Sequence, residues 1–418
     1  MSKRSLAGAS DARSTQRCER FARALRRTAE LFATTYARGE RDGYAPGLSG
    51  SGSCAIGFDC RGRVVAVIDQ ASTPPVCSGS TDAREPSPPT RAEFSRQSLA
   101  KYATPRPLRA LVDLVTSVGA YLGMSVVMCF ALRVSPVLPL ILAPITAAFL
   151  LRTYIVFHDC SHGSFFASRR GNVWLGTLCG LMVLSPFVRW RHDHAVHHAT
   201  SGDLDRRGVG DLPTLTVREY YERGWRGRLG YRIVRNPVAM FGLGPVFAMI
   251  VGPRIVARNA RPRMRNSVIW TDAALALIGG TLVWLLGIGA FLITWAPAAL
   301  LAGATGIWLF YVQHQFEDAY WQRSENWSYA DAAMRGSSFL KLSTPLRFLT
   351  GNIGYHHVHH LNVRIPNYNL PRAHAENPVF QSVPTLSLWD GLRAVRLKLW
   401  DEQRGRLVTF AEARAGRA

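Results

Sequence analysis

The sequence has no CxxC pair, no apolar stretch in its first thirty residues and almost no lysine. Seven cysteines (Cys18, Cys54, Cys60, Cys77, Cys129, Cys160 and Cys179) are odd in number and never in metal-ligand spacing. No zinc ribbon, rubredoxin or iron–sulfur module can be built from them, and they read as free thiols on a reducing side. A basic N-terminus without an apolar h-region predicts no cleavable signal peptide, so insertion depends on internal spans. Lysine occurs only at Lys3, Lys101, Lys341 and Lys398, so arginine carries almost all of the +22 net charge. Charged residues make up only 19%, against roughly 25% in ordinary globular chains. From Ala273 to Val312, forty consecutive residues carry no formal charge. As helix that is about 60 Å, two crossings of a roughly 30 Å hydrocarbon core. A simple soluble protein is excluded.

Residues 1–90 are rich in Arg, Ser, Gly and Pro. Arg20–Ala37 has the pattern of a basic amphipathic helix and Arg63–Asp69 that of a short strand. Neither has enough company to bury a core, so 1–90 is expected to be a disordered extension, with a membrane-surface helix as the alternative. The membrane domain is expected over 91–418, with spans at about 111–132, 134–157, 268–287 and 290–313. Two tight hairpins follow, one turning at Arg133 and one at Gly287–Gly289. Asn172–Val188 and Pro237–Gly252 are apolar but short and broken by Gly or Pro, and are expected at the interface. Arg152–Arg265 holds eighteen arginines against seven acids. By the positive-inside rule that segment faces the cytoplasm, with both terminal regions. The basic balance is thus topology and anionic headgroup contact, and no nucleic-acid reading motif accompanies it.

Eleven of twelve histidines fall in four clusters: HDCSH at 158–162, RHDHAVHH at 191–198, His314 in YVQHQFED, and YHHVHH at 355–360. His158 and His162 are four apart; His194, His197 and His198 repeat a three-and-four spacing, as do His356, His359 and His360. On a helix each set is expected on one face, converging on metal. Nine imidazoles exceed one ion's needs and suit two irons, although donor softness alone leaves zinc and copper open. A di-iron centre facing a bilayer can activate O2 against an unactivated methylene.

The order HxxxH, HxxHH, HxxHH resembles the three histidine boxes of the membrane-bound fatty acid desaturases. HHATSGDLDRRGVGDLPTLTVREY, GIWLFYVQHQFEDAYW and GNIGYHHVHHLNVRIPNYNL look like the bacterial acyl-lipid branch, over about residues 92–410. The resemblance implies an all-α integral membrane protein with four transmembrane helices in two hairpins, interfacial helices and a cytoplasmic di-iron cap. It implies metal ligation by His158, His162, His194, His197, His198, His314, His356, His359 and His360. His192 and His357 fall off the pattern. The implied reaction is O2-dependent desaturation of an acyl chain in a membrane lipid, in a bacterial inner membrane. The chain has no CxxC module and no HPGG haem loop, so electrons are expected from a separate ferredoxin or flavodoxin.

Other residues have two readings each. Glu317 and Asp318 either orient ligand imidazoles or are exposed carboxylates at a helix end; Asp159 is expected to cap or to support a ligand. Cys160 reads as packing and Asn352 as a turn residue. Asp203 and Asp205 either pair with Arg206 or Arg207 or sit in a solvated loop. Gly119, Gly123, Gly303 and Gly306 are candidates to line a closed-ended acyl tunnel or simply to pack helices. A di-iron hydroxylase or ketolase is the nearest rival function. A bis-histidine haem carrier would need facing histidines within the bilayer, and a metal transporter would need polar ligands near its midplane.

Overall fold

The computed structural model describes residues 99–257 and 260–416, together with a short antiparallel backbone ladder pairing Gly57–Phe58 with Val64–Val65. Val64–Val65 falls within the expected strand at Arg63–Asp69, and Gly57–Phe58 lies before it; the remainder of 1–90, including Arg20–Ala37, lies outside the described residues.

Four helices are long and apolar enough to cross a membrane: α1 (Pro107–Val134), α2 (Val137–His162), and, after the elements below, two more from 262 to 314. Pro107 opens α1 in the first turn, where its missing N–H costs nothing. α1 contains a π-helical turn at Val115–Gly119. It ends not at Arg133 but at Ser135, which is extended ahead of Pro136 as proline demands of its predecessor. α2 runs beyond the expected 157 to His162 and closes on Gly163 at φ 64°, a left-handed cap that suits glycine. The first histidine box is therefore the last turns of the second span.

The apolar stretch 172–188 is not one helix. α3 (Arg169–Met182) and α4 (Phe187–Thr200) meet at 100°, because Leu184 turns left-handed (φ 55°) and Pro186 caps the new helix. A Cβ at Gly176 would lie 2.2 Å from the Phe187 ring, so glycine is what lets the two arms fold together. α5 (Trp225–Val234) and α6 (Ala239–Arg254) bend by 59°. α7 (Pro262–Leu286) and α8 (Ile288–His314) are separated only by Gly287 at φ 79°. Their outer surfaces are apolar and uncovered: Trp284 on α7 is 82% exposed, the face a span turns to lipid.

Inside the helices, Leu151, Ile155, Leu309 and Val312 pack α2 against α8. Between α1 and α2, Arg152 and Asp113 form a buried ion pair at 2.5 Å, and the guanidinium also donates to the carbonyl of Phe348. An all-α expectation needs one amendment. Leu215–Thr216 pairs in parallel with Leu399–Trp400, which pairs in turn with Leu407–Val408, and Phe339–Leu340 pairs with Thr385–Leu386. The first of these ladders ties the chain after α8 back to the segment before α5.

Two outcomes follow from packing. A Cβ at Gly303 would meet Pro245 at 2.8 Å and Met249 Sδ at 3.1 Å, whereas one at Gly123 meets nothing. Gly303→Leu should lower thermal stability in detergent by about 1–3 kcal/mol through overpacking, and Gly123→Leu should leave it unchanged. Gly303 is thus a site of close helix approach, α8 against α6. Lys398 is buried with no hydrogen-bond partner for Nζ among the described residues, 5.5 Å from the Tyr311 ring centroid. Burial, reinforced by the nearby Arg235 charge, lowers its pKa to about 7. The unfolded chain then holds more protons than the folded one from about 7 up to the ordinary 10.5. Stability should therefore rise with pH across that window, and Lys398→Met should flatten the rise in melting curves.

Candidate metal centre

Nine histidines from four elements meet at one end of the helices. His158 and His162 come from α2, His194, His197 and His198 from α4, and His314 from the last residue of α8. Before the third box comes the short helix α9 (Tyr329–Arg335); α10 (His356–Leu361) then carries His356, His359 and His360. Arg235 brings the end of α8 into place by donating to Gln315 Oε1 at 2.8 Å and the Tyr311 hydroxyl at 3.2 Å. The Tyr329 hydroxyl donates to the His360 carbonyl.

The nine do not form one cluster. His158, His162, His194, His198 and His359 offer one ligand atom each within 4.8 Å of one another; His197, His314, His356 and His360 form a second such group. Each HxxHH box is split between them, against the expectation that each converges on one metal. The four-apart pair stays together and the intervening histidine goes to the other group. The reason is helical pitch: four residues bring a side chain back to within about 40°, while adjacent residues diverge by about 100°. His194 and His198 share a face that His197 leaves; His356 and His360 share one that His359 leaves.

The donors fit metal. His194 and His198 Nε2 lie 3.1 Å apart, His198 and His359 Nε2 3.0 Å, and His314 and His356 Nε2 2.9 Å. Two nitrogens about 2.1 Å from one ion at right angles would be about 3.0 Å apart. Nε2 of His162, His197 and His360 is buried without a hydrogen-bond partner among the described residues, an arrangement that costs about 1–3 kcal/mol per group unless something else fills it. Burial holds His194, His198, His356, His359 and His360 well below the ordinary imidazole pKa, and neighbouring rings add to the effect. Neutral rings keep the lone pair that a metal needs.

Three rings are oriented from behind. His158 Nδ1 faces Asp159 Oδ1 at 3.1 Å, His197 Nδ1 bonds Asp211, and His314 Nδ1 faces the Gly336 carbonyl at 3.2 Å. A carboxylate accepting from Nδ1–H leaves Nε2 free to ligate. Asp159 is itself held: its Oδ2 accepts from the Asn367 backbone N–H at 2.7 Å and side-chain amide at 3.0 Å, and that amide also reaches Asp113. Trp190 stacks on His194 with centroids 4.3 Å apart.

Of the carboxylates suggested by position in the sequence, Asp159 supports a ligand ring, whereas the two after α8 are elsewhere. Glu317 is exposed and pairs with Arg406, and Asp318 is exposed; neither orients a ring. Asp211 orients a ring and Asn367 holds Asp159, and nothing in GDLP or IPNYN marked either. Asp211→Ala should weaken metal binding about 10–100-fold in a chelator competition, the usual cost of an outer partner, with Glu317→Ala unaffected. His192 is exposed. His357 is buried outside both groups; its Nε2 faces His374 Nδ1 at 3.0 Å, and burial, with His374, lowers its pKa to about 3. Asn352 turns left-handed at φ 58°. Cys160 is packed in the core. Asp203 is buried, accepting from Arg206 at 2.5 Å, while Asp205 pairs with Arg323 at 2.6 Å and Arg207 with Glu219.

Comparison with known proteins agrees with this site. Residues 135–384 match the family model described as fatty acid desaturase. A fatty acid desaturase of Bacillus subtilis is 42% identical over 314 residues, 75% of this chain and 89% of that protein. More distant are two proteins of Synechocystis: an sn-1 acyl-lipid omega-3 desaturase (ferredoxin), 28% identical over 53% of this chain and 62% of its own, and an sn-1 oleoyl-lipid 12-desaturase, 27% identical over 55% and 65%. With four apolar helices, two histidine groups and this match over more than half its length, the chain belongs to the fatty acid desaturase family and is a membrane oxidoreductase.

Proposed function

We propose that this protein is an O2-dependent acyl-lipid desaturase, forming a double bond in an acyl chain of a membrane lipid at a non-haem di-iron centre. The observation that carries the reading is the division of nine imidazoles, eight buried and His162 half-buried, into groups of five and four, one for each ion. The first ion would be held by His158, His162, His194, His198 and His359, and the second by His197, His314, His356 and His360. Bound iron supplies reduction of O2 and cleavage of C–H bonds that no side chain attacks unaided. Over the reaction two hydrogens leave adjacent methylenes and O2 becomes two waters, with two further electrons and two protons supplied from outside. The chain's own residues keep the ligand rings neutral, set their tautomers through Asp159 and Asp211, and exclude water by burial.

The four spans would stand as two hairpins with the histidines on the cytoplasmic side, following arginine distribution. The target methylene lies several bonds inside an apolar chain, so the chain must bend towards the metal end through an apolar channel between the spans. Electrons would come from a ferredoxin- or flavodoxin-type carrier; one relative bears ferredoxin in its name. The residues 1–90 would form an extension outside the catalytic domain.

The test is expression of the full chain in a host without polyunsaturated lipids. New double bonds should be found by mass spectrometry, and the purified protein should hold about two irons. A hydroxylated or ketonic product, or a haem spectrum in place of non-haem iron, would reject the reading.

A further inference from the structure

A cavity of about 650 Å3 opens beside His162, and its lining includes Arg169, Arg191, Arg261, Arg263 and Arg364 but no aspartate or glutamate. The arginines come from four places in the chain: the start of α3, the middle of α4, the entry to α7 and the segment after α10. None has an acidic partner among the described residues. Several other arginines of the same basic segment are paired, Arg189 with Asp193, Arg207 with Glu219 and Arg254 with Asp272. Arg191 is half-buried, and burial, then the charges of Arg263 and Arg169, work against its own charge. Guanidinium groups gathered against their mutual repulsion, without a carboxylate, call for an anion from outside the chain.

We propose that this cavity binds the phosphate of the substrate lipid's headgroup, so that the enzyme selects acyl chains carried on phospholipids. The proposal rests on the acyl-lipid reading above. Arginine's planar fork matches phosphate oxygens in pairs. The volume suits a small-molecule group, within the range of about 300–1,000 Å3. Its position favours a lipid. Along α3, Trp174 and Leu178 are exposed beyond Arg169; along α7, Ile269 and Trp270 are exposed beyond Arg261 and Arg263. The arginines thus sit where apolar outer surface gives way to polar ends, the level of headgroups. A headgroup held there starts its acyl chain beside the five-histidine group, because His162 lines the same cavity.

The test uses the full-length, iron-loaded protein in detergent and measures binding of dihexanoyl phosphatidylglycerol and of a dihexanoyl galactosylglycerol. Arg191→Gln/Arg263→Gln should weaken binding of the phospholipid roughly tenfold or more. Arg226→Gln/Arg228→Gln, which removes equal charge elsewhere, should change it by less than about twofold. Equal binding of both lipids by the wild type, or equal losses in both variants, would overturn the proposal. So would competition by inorganic phosphate at the phospholipid's own affinity, which marks a free-phosphate site. A raised KM for a reduced ferredoxin with lipid binding intact would assign the arginines to the donor and also overturn it. Binding needs no turnover. A wild type that binds phospholipid as stated yet leaves every acyl chain saturated upholds the cavity and fails only the desaturase reading.

Discussion

His314→Ala is expected to abolish desaturation while the protein still inserts and folds. His314 is the one ligand candidate outside the boxes, and it belongs to the smaller group, with His197, His356 and His360. Removing it leaves three donors and frees His356 Nε2 from the ring that faces it at 2.9 Å. Loss of an outer partner alone costs about 10–100-fold in metal affinity or activity, so loss of a ligand should exceed about 100-fold. By elemental analysis the purified variant should hold about one iron, and the wild type, on the proposed di-iron reading, about two. His192→Ala, at an exposed position, should keep both. His357→Ala should keep measurable activity, since its ring turns to His374 and away from both groups. A full iron complement in His314→Ala would remove it from the ligand set.

Arg152→Met should be the most destabilising single change in the spans, at about 3–5 kcal/mol, because it strands the Asp113 carboxylate in a buried site. The pair is almost sealed, with side-chain exposures of 4% and 9%. Arg152 also donates to the carbonyls of Thr116 and Phe348, so α1, α2 and the segment after α8 loosen together. Arg152→Met/Asp113→Leu should recover much of the loss, since matched apolar replacement of a buried pair is often neutral. Melting curves in detergent separate the two. The double variant has a second readout: Asn367 loses one acceptor but keeps Asp159. Its iron affinity should fall less than that of Asp211→Ala.

Much of this site was legible because its chemistry lies in short spacings. Histidines three or four apart are neighbours on any helix, whatever surrounds it, so the boxes could be named from the chain alone. His314 was legible because forty uncharged residues end beside it. Of the outer partners, Asp159 was legible inside its box, and the others were not. Asp211 reaches His197 across a loop of fourteen residues, and Asn367 reaches Asp159 across more than two hundred. Glu317, three residues from a ligand, instead faces outward to Arg406. Closeness in sequence misled there because α8 ends at His314 and the chain turns away.

What sequence by itself determined is therefore local or additive: four apolar helices, the ends at which histidines lie, and a number of imidazoles too large for one ion. These depend on length, pitch and hydropathy, which need no partner. Tertiary structure alone decided how nine rings divide into five and four, which carboxylates stand behind them, and where unpaired arginines gather. Each of those depends on the angle between elements far apart in the chain. A histidine's direction is set by its own helix, but the ring it meets is set by how α2, α4, α8 and α10 pack.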